Sequence, residues 1–353
     1  MEDKPIRVLS NSGTYVSEDI IQQCFEEGII HHVNKEMCGN GFSTGFLSLK
    51  PEFNKTDILI CPNKSVVIDK QEEVSLDRTK PLKEQLYKDL RVGFLYKEST
   101  DSLNSLDKYD KIVCVADSFN KHHNTILERY NIGKILIDEQ HTVEQSISFR
   151  TPTMFNLPIN LSKFKRAKIT YVTASPNLHN KTTIHVKNEL LKESKIHLSR
   201  NVNKSFERLV NRIIEGENVF IFTNDSTIVT RICMMCKRFD INYKGGDSLK
   251  SSLIRKGQFV FDTSSNITIC SSAAYEGWSS KVENGSAFLF VSYDTPQNSM
   301  LGSNIYQAIN RLRKGAIHSE LVFFEDKETP KLYPNLKDIM EYFSNLKTPD
   351  HTT

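Results

Sequence analysis

Asp138-Glu139-Gln140-His141 follows directly on the apolar run Ile135-Leu136-Ile137. A short apolar run bounded by polar residues reads as a buried parallel strand. The carboxyl ends of such strands are where open α/β sheets bind their ligands. Two carboxylates side by side at that place can divide the chemistry of phosphate hydrolysis, Asp138 holding a magnesium ion and Glu139 orienting an attacking water. A solvated strand end is the plainer reading of the same residues. A second set lies upstream, where Gly39-Asn40-Gly41-Phe42-Ser43-Thr44 follows a β-branched run at 29–33. A phosphate cradle needs a strand, a glycine-rich turn and backbone N–H groups facing the anion. Gly39 and Gly41 could form that turn, with the hydroxyl of Ser43 or Thr44 for the metal. The spacing resembles a Walker A loop, whose pattern is glycine, lysine, then serine or threonine, with Phe42 at the lysine position. Nearby Lys35 could substitute, and a plain turn is the alternative.

Other spacings compete with this reading. Gly41-Phe42-Ser43-Thr44-Gly45 also fits the G-x-S-x-G nucleophile elbow, with His318 and Asp294 available on paper as partners. That elbow needs a strand running straight into the serine, whereas 34–40 is long and polar. Cys233-Met234-Met235-Cys236 is a lone C-x-x-C without a second pair, so helix packing is expected there in place of zinc. The pairs His31-His32 and His122-His123 suit surface or strand positions. Trp278 reads as core, with base stacking as its alternative. Lys163, Lys165, Arg166 and Lys168, and the charges between 244 and 256, are either a solvated face or a contribution to nucleic-acid backbone binding.

The elements that must position these groups can be read from the apolar runs. They recur at 29–33, 58–61, 92–95, 112–115, 135–137 and 169–172, then at 219–222, 266–270, 287–291 and 321–324. Strands alternating with helix-length segments predict parallel α/β sheets. A polar, strand-poor stretch divides them. The expected organisation is an N-terminal domain at 1–178, a linker at 179–202, a C-terminal domain at 203–346 and a disordered tail at 347–353. A length of 353 residues suits two domains. A hydrophobic fraction of 38% and a charged fraction of 25% describe a soluble globular chain. Seven cysteines at irregular spacing offer no disulfide framework, and the acidic start Met1-Glu2-Asp3 offers no secretory signal. No apolar run approaches the ~20 residues of a membrane span, so a cytoplasmic protein without a membrane partner is expected. A net charge of +3 permits a phosphate-backbone partner without requiring one.

In order along the chain, these motifs accumulate a resemblance to superfamily 2 helicases. It is nearest to the DEAH-like and the viral or phage origin-binding kinds, with a degenerate Walker A loop. Asp138-Glu139-Gln140-His141 resembles the DExH box. Ile58-Leu59-Ile60-Cys61-Pro62-Asn63-Lys64 resembles the segment that touches nucleic-acid backbone, through Pro62 and Lys64 here. Ala116-Asp117-Ser118-Phe119 resembles the turn preceding the DExH box. Thr173-Ala174-Ser175-Pro176 is similar to the element coupling hydrolysis to nucleic-acid grip. Val219 to Asn224 resembles the second domain's opening strand. The run from Ile269 to Gly277 resembles an element that ends near the nucleotide, although Trp278-Ser279 departs from its usual continuation. Gln307-Ala308-Ile309-Asn310-Arg311-Leu312-Arg313 resembles the helix that supplies arginine fingers.

The resemblance implies an α/β fold of two RecA-like domains with parallel sheets, P-loop NTPase type, using ATP and Mg2+. It implies that Asp138 and Ser43 hold the metal, that Glu139 orients water, and that Gln307, Arg311 and Arg313 sense and neutralise the γ-phosphate. It further implies that Gly39, Gly41, Ser43, Thr44 and Gly277 line the nucleotide, and that Pro62, Lys64, Thr173 and Ser175 face nucleic acid. The expected activity is ATP-driven DNA unwinding or translocation, with replication or recruitment proteins as partners. The Asn-, Lys- and Ile-rich composition points to a phage or mobile element, hence a host cytoplasm. The alternative is a catalytically impaired helicase-like protein that binds nucleic acid.

Overall fold

The computed structural model describes residues 6–36, 39–76, 80, 84, 86–99, 101–103, 109–140, 151–174, 182–189, 196–223, 225–238, 243–244, 267–270, 282, 285–292, 305, 308–309, 312 and 316–324. The chain divides into two compact units, Met1–Leu190 and Leu191–Thr353.

The first unit is built on one sheet. Its strands are β1 (Arg7–Asn11), β2 (His31–Asn34), β3 (Thr56–Cys61), β4 (Leu86–Tyr87), β5 (Leu90–Leu95), β6 (Lys111–Val115), β7 (Ile132–Ile137), β8 (Lys168–Thr173) and β9 (Ile184–Asn188). Their order is β1-β9-β2-β8-β7-β3-β6-β5-β4. The pairings are parallel except β4 with β5. Both faces are covered, which is why the central strands read as unbroken apolar runs. On one face Leu59, Cys61, Val113, Leu136 and Val172 share a core with residues of α1 (Glu18–Gln23), α2 (Phe42–Ser48) and α3 (Lys64–Val74). On the other, Ile58, Ile60, Ile112, Cys114, Ile135 and Ile137 pack with α4 (Ala116–Arg129) and α5 (Thr151–Leu161). Alternate residues of a single strand thus feed two cores, as the period of two requires.

Helix ends follow their capping chemistry. Ser17 accepts from the Ile20 N–H at the start of α1, and Asn63 from the Val66 N–H at the start of α3. Each satisfies one of the orphan donors of a first turn.

The second unit repeats the layout. Strands β10 (His197–Ser199), β11 (Asn218–Phe222), β12 (Tyr243–Lys244), β13 (Ile267–Cys270), β14 (Gly285–Ser292) and β15 (Ala316–Phe324) run parallel in the order β10-β15-β14-β11-β13-β12. Helices α6 (Val202–Ile214) and α7 (Ser226–Arg238) lie between them in sequence. Cys233 and Cys236 are buried on α7 in the same cluster as Ile221, Ile267 and Phe290, a packing role for the C-x-x-C.

The expected α/β architecture with parallel sheets is therefore present. The stretch 179–202, expected to be a linker, departs from expectation because it holds β9 and β10. In β9 only Ile184, Val186 and Asn188 are buried, with His185 and Lys187 between them. Five residues of such alternation, flanked by charged segments, resemble solvated chain. The tail at 347–353 lies outside the described residues.

Candidate active site

Strand register brings the chemistry to one edge of the first sheet. β8 lies between β2 and β7, with Asn34 opposite Thr173 and Ile137 opposite Tyr171. The residues that leave these strands therefore emerge together: Lys35 after β2, Asp138 after β7, Ala174 after β8. The Lys35 N–H donates to the Thr173 carbonyl at 2.8 Å, and the Asp138 N–H to the Ile60 carbonyl at 2.9 Å. The backbone at both positions is thus fixed by the sheet itself.

The side chains converge. Lys35 Nζ donates to Asp138 Oδ1 at 3.0 Å and lies 2.9 Å from Glu139 Oε1. The Ser43 hydroxyl donates to Asp138 Oδ2 at 2.6 Å, and the Glu139 N–H to Asp138 Oδ1 at 3.0 Å. Lys35 is 4% exposed, Asp138 5% and Glu139 9%. Among these three groups, two carboxylates against one ammonium leave a formal charge of −1 in a buried place. Excess buried charge is costly unless a counter-charge meets it. Adjacent carboxylate and hydroxyl oxygens are donors that a hard divalent cation prefers, so Asp138 and Ser43 fit magnesium chemically. Glu139 adopts φ 48°, a left-handed backbone that a non-glycine residue holds only when its surroundings impose it.

The loop beside these groups is shaped by Gly39 and Gly41, with φ of 69° and 77°. At Gly41 a Cβ would also stand 2.9 Å from Tyr15 Cδ1, so the Tyr15 ring rests on the glycine. Asn40 holds the turn closed. Its side chain donates to the Lys35 carbonyl at 3.0 Å and accepts from the Phe42 N–H at 3.2 Å, while its carbonyl accepts from the Val16 N–H at 2.8 Å. Phe42, the first residue of α2, is 1% exposed and belongs to the apolar cluster of Ile21, Phe46 and Leu47. Ser43 faces Asp138. Thr44 instead donates to Glu73 Oε2 at 3.2 Å and accepts from Lys70 Nζ at 2.6 Å.

The remaining expected residues are distributed unevenly. Glu139 Oε2 lies 3.5 Å from both the Thr173 hydroxyl and the Ala174 N–H, so the Thr173-Ala174 turn reaches the carboxylate pair. Pro62 is buried at the end of β3. Lys64, in the first turn of α3, pairs with Glu98 at 2.6 Å and sits over the Tyr96 ring. Ser175, Gly277, Gln307, Arg311 and Arg313 lie outside the described residues, as do His141 and Trp278. The nucleophile-elbow alternative finds no support at its partner: His318 is buried and contacts Glu320 at 3.2 Å.

Three contributors went unread in the sequence. Asn40 staples the loop. Gln140 Oε1 lies 2.9 Å from His32 Nδ1, and the His32 ring stacks on Tyr171 at 5.0 Å, tying the residue after Glu139 to β2 and β8. Glu36 accepts from the Asn188 N–H at 2.6 Å and so holds the end of β9. Of these, only the Asn40 between two glycines carried a sequence signal, since a turn asparagine commonly bonds its own backbone.

No protein-family model matches the sequence, and no curated protein matches it. Solved structures are similar in shape. The Mss116p structure bound to ssRNA and AMP-PNP is 12% identical, with 96% of this chain and 80% of that one covered at a TM-score of 0.56. S. cerevisiae Dbp5 bound to RNA and ADP BeF3 is 12% identical, with 93% and 88% covered and a TM-score of 0.55. Mycobacterium smegmatis helicase Lhr bound to ssDNA and AMP-PNP is 12% identical, with a TM-score of 0.54; the match covers 87% of this chain and 45% of Lhr. Likeness at such identity concerns architecture: this chain has the α/β fold of these helicase structures, two RecA-like domains with parallel sheets.

Proposed function

We propose that this chain is a nucleic-acid-dependent ATPase of the helicase kind, coupling hydrolysis to DNA unwinding or translocation. The observation that carries the reading is the convergence of Lys35, Ser43, Asp138 and Glu139 at one sheet edge, beside a loop of left-handed glycines. Hydrolysis of a phosphoanhydride needs positioning and charge stabilisation more than covalent help from the protein. Glu139 orients a water and accepts its proton as the water oxygen bonds to the γ-phosphorus. The bond to the bridging oxygen then breaks, and ADP leaves with that electron pair. Magnesium, held by Asp138 and Ser43, would neutralise charge on the phosphate oxygens. Gln307, Arg311 and Arg313 carry the γ-phosphate roles that the helicase resemblance assigns them, and Gly277 lines the nucleotide.

Contact between Glu139 and the Thr173-Ala174 turn supports coupling, since a change at the phosphate reaches β8 directly. Pro62, Lys64, Thr173 and Ser175 are proposed to face the nucleic acid. The solved structures similar to this one hold RNA as well as DNA. A phage or mobile-element setting follows the Asn-, Lys- and Ile-rich composition, and a role in its DNA replication with replication or recruitment proteins as partners is proposed alongside. The second reading is a nucleic-acid clamp without turnover, and the burial of Phe42 at the lysine position favours it.

Phosphate release from Mg-ATP, measured with single-stranded DNA, with RNA and without either, separates the two. We expect stimulation by nucleic acid, and we expect Glu139→Gln to lower the stimulated rate at least ~100-fold, the scale of a lost general base. A wild-type rate equal to that of the variant would leave only the clamp.

A further inference from the structure

We infer that Lys35 supplies the phosphate-contacting ammonium of this site, reaching it from the end of β2 instead of from the start of α2. The inference rests on the proposed ATPase reading and adds to it which residue meets the phosphates and what that residue does before nucleotide arrives. Lys35 is nearly enclosed, yet its Nζ is held at 3.0 Å from Asp138 and 2.9 Å from Glu139, the two groups assigned to the metal and the lytic water. Its backbone is clamped on both sides: the N–H donates to Thr173, and the carbonyl accepts from Asn40 within the glycine loop. The side chain therefore leaves a fixed root and ends among the reacting groups. A four-carbon ammonium stem is flexible and can exchange one oxygen partner for another without moving that root.

Position 42 is closed to the same role. Phe42 is 1% exposed in an apolar cluster, so a lysine there would bury its ammonium among Ile21, Phe46 and Leu47. The Lys35 ammonium offsets one of the two carboxylate charges. With magnesium on Asp138 and Ser43, it trades a carboxylate oxygen for a phosphate oxygen. Charge-assisted hydrogen bonds of this kind are short and strong.

The test is equilibrium binding of AMP-PNP and of ADP, each with Mg2+, to the full chain by titration calorimetry. The proteins are wild type, Lys35→Met, Phe42→Leu and Phe42→Lys, with thermal melting of each to report the fold. We expect Lys35→Met to weaken AMP-PNP by roughly 10- to 100-fold, the scale of one hydrogen bond to a charged group, and ADP by less. A purely structural lysine would change both nucleotides equally. Phe42→Leu should bind as wild type, and Phe42→Lys should melt lower with no gain in affinity. Should Lys35→Met fail to fold, the comparison moves to Glu139→Gln against Lys35→Met/Glu139→Gln, where one of the two carboxylates has been neutralised. Equal AMP-PNP affinities with and without the lysine overturn the inference while the ATPase reading stands. Absence of AMP-PNP binding to wild type overturns both.

Discussion

At the scale of single residues, Phe42 puts a buried ring where the Walker A pattern has lysine, while Lys35 stands just after β2. Phe42 begins α2 with a left-handed Gly41 as its cap and a side chain turned into the core. Truncating a buried phenylalanine removes its transfer free energy and leaves a cavity. Phe42→Ala should therefore cost about 3–5 kcal/mol in urea unfolding, with a smaller loss for Phe42→Leu. A cost below about 1 kcal/mol would mean that the ring is not enclosed. The motif spacing pointed to Asp138, Glu139 and one of two hydroxyls, Ser43 or Thr44. It could not tell which hydroxyl faces Asp138, because Ser43 and Thr44 are adjacent on a helix and point in different directions. Lys35 was visible as a nearby lysine, but its approach depends on the order β2-β8-β7, which is a property of the sheet and not of any local pattern.

Elements show the same division between local pattern and tertiary requirement. Each of the ten apolar runs carries a strand, because burial on both faces makes a parallel strand uniformly apolar. Strands β1, β9 and β10 were not legible. β1 closes one edge of its sheet with much of its side-chain surface exposed, and a short edge strand carries polar residues freely. Asp57 was also unreadable, since a carboxylate at the start of a strand resembles a boundary. It is instead fully buried in β3. It accepts from Lys111 of β6 at 2.8 Å and from the Lys134 N–H of β7 at 2.9 Å. Lys111 donates in turn to the carbonyl of Phe46 in α2 at 2.9 Å. Burial pushes the Lys111 ammonium down, and the Asp57 charge opposes that shift. This pair joins three strands and a helix at the end of the sheet opposite the carboxylates of the active site. Asp57→Asn leaves Lys111 buried without its counter-charge, so we expect a loss of about 3–5 kcal/mol in chemical denaturation. Nucleotide affinity per folded molecule should be unchanged. A variant as stable as wild type would show that Lys111 sheds its charge at little cost.

Over the whole molecule, the two units differ in how their charges respond to acid. In the second unit Glu320 lies inside β15 and accepts from Arg208 at 2.5 Å and from Ser205 at 2.6 Å, with His318 at 3.2 Å. Burial by itself would raise its carboxyl. The hydrogen bonds from Arg208, His318 and Ser205 together outweigh that effect and hold it at about 2. An unfolded glutamate titrates near ~4.3. The folded group is thus the stronger acid: its contribution is complete above the unfolded value and drains away as the pH falls from about 4.3 to about 2. The comparable carboxyl of the first unit, Glu52, is also lowered to about 2, through hydrogen bonds from Lys168 and Lys55, but Glu52 itself is exposed whereas Glu320 is fully buried. Salt screens an exposed carboxylate strongly and an enclosed one much less. The single tryptophan, Trp278, falls between Leu191 and Thr353, the bounds of the second unit, and its fluorescence is followed through the acid titration. We expect its acid transition to persist in 0.5 M salt and to flatten in Glu320→Gln, which is less stable at neutral pH but has no proton to gain. Superimposable acid limbs for wild type and Glu320→Gln would assign the acid sensitivity to other carboxylates, and would mean that the Arg208 pair holds the helix without setting the pH response.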